Sequence, residues 1–439
     1  MKKKKKVWKD ILQNSRPKTR LSALLMGSGQ FLYGSRGKWL LLFAIQLGVI
    51  WYFVTRGAAD LKGFFTLGTQ VADPWLNTPG DNSVVMLLMG ILAWLVLIGF
   101  IAVYVANIKD AYETQCKVER GETLESFAEG LKRLVDQKFY LLALALPVMG
   151  VCVFNILPII FMILIAFTNY GGSIVPPALV DWVGLANFEK IITLSQFAPT
   201  FFKILGWNLL WAVVSTTINY FAGLGLALLL NKDCVKGKAI WRAFPILAYA
   251  IPGFITLLAF KFMFSYGGPI NQMIRSAGGT AIGFLDLDAK WTARWIGILV
   301  NCWISVPSIM LLATGHLSNR DMSIYEAARI DGATSLEQFR KLTLPYMIFT
   351  TTPVILGQFV GNFNNFGIFY FLRGGMYMDG YFLASDTDLL INWLYNLSID
   401  NNYYCIGAAI SLIIFIITSV ISLGVYVRSS AYREEDTFQ

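Results

Sequence analysis

Eight long runs of apolar residues limit the fold of this sequence more than any other feature. Apolar residues make up 56 % of the 439 residues and charged residues only 14 %, which is too little charge to cover a water-soluble domain. A helix needs about 20 apolar residues to cross a bilayer. The sequence therefore predicts an all-α polytopic membrane protein with spans at 39–54, 84–106, 141–168, 204–230, 240–264, 295–314, 346–370 and 405–427.

The basic residues are distributed unevenly between the segments that connect these runs. If the N-terminus is cytoplasmic, the inner segments hold 27 of the 36 Lys and Arg residues, and the outer segments hold eight. This is the positive-inside pattern that orients membrane proteins, so we expect both termini in the cytoplasm. The net charge of +9 then reflects topology, and the run Lys2–Lys6 can bind anionic membrane lipid. Nucleic-acid binding is not expected.

The chain divides into an N-terminal unit and a longer core. Residues 1–138 comprise a cytosolic tail, two spans and a segment, Glu113–Lys138, whose charge spacing predicts an interfacial helix. Glycines interrupt the segment 21–36, which we interpret as a re-entrant or interfacial element. Residues 139–439 hold six spans joined by short segments, without a separate outer domain.

The inner loop at 315–345 has the pattern of two short helices joined by a glycine turn. Ala327 and Ala328 favour helix, whereas Gly332 permits a bend that a larger residue resists. Pro345 marks the entry into the next span. A loop held in this way between two spans can transmit the movement of a cytosolic partner to the membrane helices.

This loop resembles the EAA motif of the membrane subunits of binding-protein-dependent ABC importers, with every element at the family's spacing. The resemblance covers about residues 139–439 and is closest to the maltose-type permease subunit of the carbohydrate-uptake class. It implies an ABC importer type I permease fold. It also implies that a separate ATPase contacts the motif positions Glu326, Ala327, Ala328, Asp331, Gly332, Ala333, Leu344 and Pro345.

Two stripes of polar and small residues follow the spans on either side of this loop. Gln358, Gly361, Asn362 and Asn365 have the spacing i, i+3, i+4, i+7 and share one helix face. Amides in hydrocarbon need hydrogen-bonding partners, which sugar hydroxyls can supply. In the span before the loop, Asn301, Ser305 and Ser308 follow i, i+4, i+7, and this stripe makes Ser305 a candidate. The maltose-type resemblance places sugar contacts on these two helices, at the positions of Asn301, Ile304, Ser308, Gln358, Gly361, Asn362 and Asn365.

The polar stripes also allow a purely structural interpretation. Gly357 and Gly361 form a G-x-x-x-G pair, a pattern that packs membrane helices together. The sequence also departs from the maltose form, because Ser308 and Gly361 replace aromatic residues and Gln358 replaces a serine. These changes leave more room and fewer stacking surfaces, which favours a substrate other than maltose, such as a longer oligosaccharide.

The resemblance also implies the partners of the chain. They are a second permease subunit, an ATPase homodimer or heterodimer, and an extracellular sugar-binding lipoprotein at the plasma membrane of a bacterium. The Gram-negative maltose permease has a large periplasmic domain after its third span, whereas the corresponding segment here, 169–203, is short. This difference favours a Gram-positive type of system, in which the binding protein is a lipoprotein. No G-x-x-x-x-G-K-[ST] motif occurs, so we expect ATP to be used by a partner and expect neither a cofactor nor a metal.

Two other functions are compatible with a multi-span chain. An ion-coupled secondary transporter usually places ionisable groups near the bilayer midplane, but the eight apolar runs contain no Asp or Glu. A membrane enzyme requires an acid and base, a nucleophile or a metal cluster. The single histidine, His316, and the scattered cysteines form no such catalytic or metal site in the sequence. A transport subunit is therefore the favoured interpretation, and an ion-coupled secondary transporter is the alternative.

Overall fold

The regular secondary structure of this protein is helical. A computed structural model describes residues 10–11, 13–72, 75, 79–124, 127–137, 139–232 and 234–428. Within this part of the chain the only β-structure is two isolated bridges, both between residues 168 and 182. The predicted lipid-binding run Lys2–Lys6 lies outside the described residues.

The chain folds as two units, Met1–Val183 and Gly184–Gln439. In the first unit, two pairs of helices are each made continuous by a π-helical turn, at Phe53–Gly57 and at Cys152–Ile156. The described helices of this unit are α1 (Pro17–Leu21), α2 (Ser28–Leu32), α3 (Arg36–Tyr52), α4 (Ala58–Thr66), α5 (Ser83–Glu119), α6 (Phe127–Asp136), α7 (Phe139–Val151) and α8 (Leu157–Ile165).

The predicted re-entrant or interfacial element at 21–36 contains the short helix α2, which is held against α5 by buried polar groups. Gly27 has a φ of 82°, and its backbone N–H donates to the Oδ1 atom of Asn107 at 3.0 Å. A Cβ atom at Gly27 would lie 2.8 Å from the Cα atom of Trp39, so only glycine fits this turn. The Gln30 amide also donates to Asn107 Oδ1, at 3.2 Å. The glycines thus permit close packing of this segment.

The second unit contains the remaining helices, with α10, α14 and α17 packed together at its centre. Buried Leu224, Met310 and Met347 belong to one apolar cluster that joins these three helices. The helices are α9 (Ala186–Thr193), α10 (Ala198–Asn231), α11 (Lys238–Ala250), α12 (Gly253–Met263), α13 (Pro269–Ser276), α14 (Lys290–Ser318), α15 (Met322–Ile330), α16 (Ser335–Gln338), α17 (Leu344–Phe363), α18 (Phe366–Arg373), α19 (Leu390–Tyr395) and α20 (Tyr404–Arg428).

The prediction of about eight spans is confirmed. Seven helices among the described residues are long and apolar enough to cross a membrane, and there are eight if the pair α11 and α12 counts as one span. The run predicted as a span at 240–264 is broken in the structure, because this pair is bent by 93°. Pro252 disfavours helical geometry at Ile251, which has an extended backbone, and the chain therefore turns before Gly253.

One predicted helix boundary differs from the structure. The predicted interfacial helix at Glu113–Lys138 is divided, because α5 continues to Glu119 and α6 begins at Phe127. The first unit ends at Val183 and the second begins at Gly184, so the third predicted span, at 141–168, lies in the first unit. The functional division at 138/139 stays a prediction.

Candidate functional site

A cavity of about 590 Å³ opens beside α14 and α17 in the second unit. The helices α12 and α18 also contribute to its lining. Ser308 is the one predicted substrate residue that does not line it, and its hydroxyl group donates to the Ser305 carbonyl at 2.8 Å. The other seven predicted residues line this single cavity: Asn301, Ile304, Ser305, Gln358, Gly361, Asn362 and Asn365. The structure thus brings the two polar stripes together, and their contact with a sugar stays a prediction.

The G-x-x-x-G pair faces this cavity. Gly357 and Gly361 both line it, and no neighbouring heavy atom in the described part of the chain lies within 4 Å of a Cβ placed at either position. A glycine pair that joins two helices within the chain would have such neighbours. In this unit the two glycines therefore leave the backbone of α17 open to the cavity.

Three asparagine amides form a connected network at the cavity. The Nδ2 atom of Asn301 donates to Asn362 Oδ1 at 3.1 Å, and Asn365 Nδ2 donates to Asn301 Oδ1 at 3.3 Å. Asn362 Nδ2 donates in turn to Thr216 Oγ1 at 3.0 Å. Asn301 and Asn362 are only 3 % and 5 % exposed, so they are satisfied largely by protein. Asn365 and Gln358 are more accessible, so their amide groups are better placed to form hydrogen bonds with a ligand.

The seventh span is interrupted beside this network. The helix α17 ends at Phe363, and Asn365 begins α18 by accepting a hydrogen bond from the Ile368 backbone at 3.3 Å. Asparagine favours such a position, because its side chain replaces the missing backbone partner. The sequence prediction of one span at 346–370 did not include this interruption.

Side chains of α10 satisfy the carbonyl groups that the interruption releases. Trp211 Nε1 donates to the Asn362 carbonyl at 3.0 Å, and Asn208 Nδ2 donates to the Phe363 carbonyl at 3.1 Å. Both side chains are fully buried. Neither residue was predicted as a site residue from the sequence, although a buried tryptophan N–H needs a partner and Asn208 is a polar residue within an apolar run.

A buried ion pair fixes the C-terminal end of α18. Arg373 Nη1 lies 2.9 Å from Asp386 Oδ1, and the two side chains are 0 % and 1 % exposed. Arg373 Nη2 also donates to the carbonyl groups of Asp286 and Leu287, at 2.8 and 3.2 Å. Arg294 donates to the Asp386 carbonyl at 2.6 Å. The cation is therefore paired and hydrogen-bonded, as a buried charge must be.

The neighbouring carboxyl group of Asp388 should make the stability of the protein depend on pH. Burial raises the pKa of Asp388 to about 6, although the Ser385 backbone donates to it at 2.8 Å and Arg373 lies nearby. The folded protein thus favours the protonated form, so stability should be greatest below about pH 4 and fall as the pH rises through 6. The shift from 3.8 to about 6 corresponds to about 3 kcal/mol.

Thermal unfolding at pH 4.5 and pH 7.5 measures this effect. Asp388→Asn should reduce the pH dependence and raise the Tm at pH 7.5, because a neutral amide can still accept from the Ser385 backbone. Asp321→Asn is the matched control, since the hydrogen bond from Ser323 lowers the pKa of this exposed carboxyl group. If Asp388→Asn were as pH-dependent as the unmodified chain, Asp388 would not be the responsible group.

The predicted coupling loop has the expected helix, glycine turn and second helix. The helix α15 is followed by Gly332, with a φ of 81°, and then by the capping box of Thr334 and Glu337 that begins α16. A π-helical turn at Phe339–Thr343 leads into α17. Leu344 and Pro345 are the first two residues of α17, as the proline-entry prediction requires.

The loop is anchored on one face and open on the other. Buried Tyr325 contacts Thr343 through their hydroxyl groups, at 3.1 Å. Ile330 is nevertheless 87 % exposed and Leu336 is 65 % exposed. The motif residues Glu326, Ala327, Asp331 and Gly332 are also exposed, and Ala328 and Ala333 are partly buried. The loop is therefore held in place while most of its motif residues stay accessible.

Comparisons with known proteins identify the family of this chain. The family described as "Binding-protein-dependent transport system inner membrane component" matches residues 219–431. The galactooligosaccharides transport system permease protein of Bacillus subtilis is 32 % identical over 94 % of this chain and 98 % of its own length. The chain belongs to the family of membrane permeases of binding-protein-dependent transport systems. The permease is also 32 % identical to the maltodextrin transport system permease protein of the same organism, over 97 % of this chain and 98 % of that protein.

A solved structure shows the same type of fold. The permease has a TM-score of 0.54 and 22 % identity to a chain of a bacterial ABC transporter involved in the import of the acidic polysaccharide alginate. The match covers 67 % of this chain and 96 % of that chain. The predicted resemblance to carbohydrate-uptake permeases and the predicted all-α polytopic fold are therefore confirmed. The permease is a multi-pass membrane protein and a transport subunit of an importer.

Proposed function

We propose that this permease imports an uncharged oligosaccharide and is powered by a separate ATPase. The observation that supports this most is the single cavity in which amide, hydroxyl and glycine positions from α14 and α17 meet. Its lining residues contain no charged side chain. Amides and hydroxyl groups donate and accept hydrogen bonds, and this matches the hydroxyl groups of a neutral sugar. The similar permeases of Bacillus subtilis are described as transporting maltodextrin and galactooligosaccharides.

The same two spans connect the cavity to the coupling loop. The loop lies between α14 and α17, so a force on the exposed motif residues acts directly on the helices that line the cavity. A second permease would complete the pathway, and an ATPase dimer would receive the loop on the cytoplasmic side. An extracellular sugar-binding lipoprotein would deliver the substrate. ATP can shift the permease between inward-open and outward-open states only if the ATPase contacts these states differently.

Copurification tests the proposed assembly. The tagged chain, purified in mild detergent from its native cells, should bring a P-loop ATPase and a second permease in nearly equimolar amounts. A copurifying sugar-binding lipoprotein would support the extracellular partner. Recovery of the folded chain alone, at good yield, would contradict the importer assembly.

Uptake measurements distinguish this function from ion-coupled transport. In native cells, uptake of radiolabelled maltotriose or a galactose trisaccharide should persist when an uncoupler is added while ATP is held constant. Depletion of ATP should stop it. Uptake that fails with the uncoupler at constant ATP would instead support an ion-coupled secondary transporter.

A further inference from the structure

Two phenylalanine side chains line the cavity, and the sequence analysis did not assign them a role. Phe254 lies in α12, after the bend in the fifth span, and Phe371 lies in α18, after the interruption in the seventh. Their ring centroids are 6.2 Å apart, and the ring planes are inclined by 38°. The rings are therefore adjacent and form one aromatic surface, which we call the aromatic shelf.

The aromatic shelf is partly supported and partly open. Phe371 packs against the buried cluster that includes Leu257 and Ile368, and this contact fixes one side of the shelf. Phe254 is 51 % exposed. An aromatic side chain that is exposed to water gains free energy when an apolar surface covers it.

The polar and aromatic groups of the cavity come from different helices. The amides of Gln358 and Asn365 come from α17 and its end, whereas the rings come from α12 and α18. A pyranose has the matching division, because hydroxyl groups surround its edge and C–H groups form its face. One sugar ring can therefore use the amides and the shelf together.

The rings lie at positions other than the two departures from the maltose form. Ser308 and Gly361 stand where the resemblance implies aromatic residues, so neither can provide a stacking surface. Ser308 does not line the cavity, and the space beside Gly361 is open. The cavity thus keeps aromatic area, but at other positions.

We infer that the aromatic shelf of Phe254 and Phe371 stacks against the apolar face of a sugar ring and determines which oligosaccharides are imported. This inference rests on the proposed function and assigns two further substrate-contacting residues to the same cavity. The shelf selects sugars whose ring face is not interrupted by an axial hydroxyl group on the side that meets the rings. The polar residues then select the arrangement of the edge hydroxyl groups.

Substitutions that remove only the aromatic ring test this inference. In cells with the complete importer, Phe254→Leu and Phe371→Leu should each raise the KM for trisaccharide uptake by about tenfold, the equivalent of about 1.4 kcal/mol. The maximal rate should change little. Phe254→Tyr and Phe371→Tyr keep the ring and should retain a KM within about twofold of the unmodified value, since stacking persists.

The matched control is Phe244→Leu on α11. Phe244 is 65 % exposed and lines a different, apolar cleft of about 1170 Å³, so the same substitution should leave the KM unchanged. The panel should contain radiolabelled maltotriose and a galactose trisaccharide. The ratio of their KM values should change in the two shelf variants and remain constant in the control.

Two results would overturn the inference, and they differ from failure of the proposed function. If the leucine variants at positions 254 and 371 imported with normal KM values, the rings would not contact the sugar. If these variants lost the second permease during copurification, and lost uptake of both trisaccharides with it, the shelf would be a subunit contact. If the unmodified importer transported no oligosaccharide at all, the proposed function itself would be wrong.

Discussion

Gly332→Val should abolish most of the sugar uptake while leaving the permease inserted in the membrane. Gly332 has a φ of 81°, in the left-handed region where a β-branched residue is strained. The left-handed conformation costs a residue with a Cβ atom about 1–2 kcal/mol. A penalty of this size lowers the population of the native turn by roughly 5- to 30-fold. Initial rates of uptake in cells, with membrane-inserted permease quantified in parallel, measure the effect.

Gly121→Val separates coupling from simple backbone strain. Gly121 has a φ of 74° and, like Gly332, is exposed, with no neighbouring described atom within 4 Å of an added Cβ. Both glycines lie on the predicted cytoplasmic side, but Gly121 lies between α5 and α6 and outside the motif. Its substitution should leave uptake near normal. Equal losses in the two variants would mean that the turn at Gly332 has no special part in coupling.

A second readout locates the defect at the ATPase. The Gly332→Val permease should copurify with less ATPase, or should leave the ATPase unstimulated by the sugar-loaded binding protein, because the turn presents the exposed residues Ile330 and Leu336. Normal uptake by this variant would contradict the coupling role of the loop.

The sequence predicts the parts of the structure that depend on local pattern. Runs of apolar residues gave the number of spans, and the sequence from Glu326 to Pro345 gave the coupling loop with its glycine turn. The i, i+3, i+4, i+7 spacing placed Gln358, Gly361, Asn362 and Asn365 on one face, and the structure places them in one cavity. The shared face follows from helix geometry and the number of spans from the length of the apolar runs, whereas the coupling role of the loop is what the family resemblance implies.

The features that the sequence did not predict depend on contacts between distant residues. The residues on both sides of the bend before Gly253 and of the interruption at Asn364 are apolar, so each break lies inside one continuous apolar run of the sequence. Pro252 was a local signal for the first of these, but the second depends on Trp211 and Asn208 of another helix. Phe254 and Phe371 follow these two breaks in the chain, and both line the cavity.

Arg373→Met should destabilise the permease by about 3–5 kcal/mol, the largest loss of stability expected from one substitution here. The change leaves the Asp386 carboxylate fully buried without its cation. It also removes the donor to the carbonyl groups of Asp286 and Leu287, and each unsatisfied buried acceptor adds to the cost. Unfolding in mixed micelles titrated with a denaturing detergent measures the change.

Arg16→Met is the matched control for burial. Arg16 and Glu119 form an ion pair at 2.7 Å, but their side chains are 63 % and 36 % exposed. An exposed pair contributes only about 0–1 kcal/mol, because water solvates both charges when the pair is broken. The same substitution should therefore have a much smaller effect at residue 16 than at residue 373. Similar losses at the two positions would show that burial does not determine the cost.

The double variant Arg373→Met with Asp386→Leu distinguishes an unpaired charge from a loss of packing. Removing both charges should recover part of the stability, because no isolated carboxylate then remains in the interior. The Asp386 carbonyl still accepts from Arg294 in this variant, since the bond involves only the backbone of residue 386. If the double variant were less stable than Arg373→Met, the Asp386 side chain would stabilise the fold through contacts other than its ion pair with Arg373.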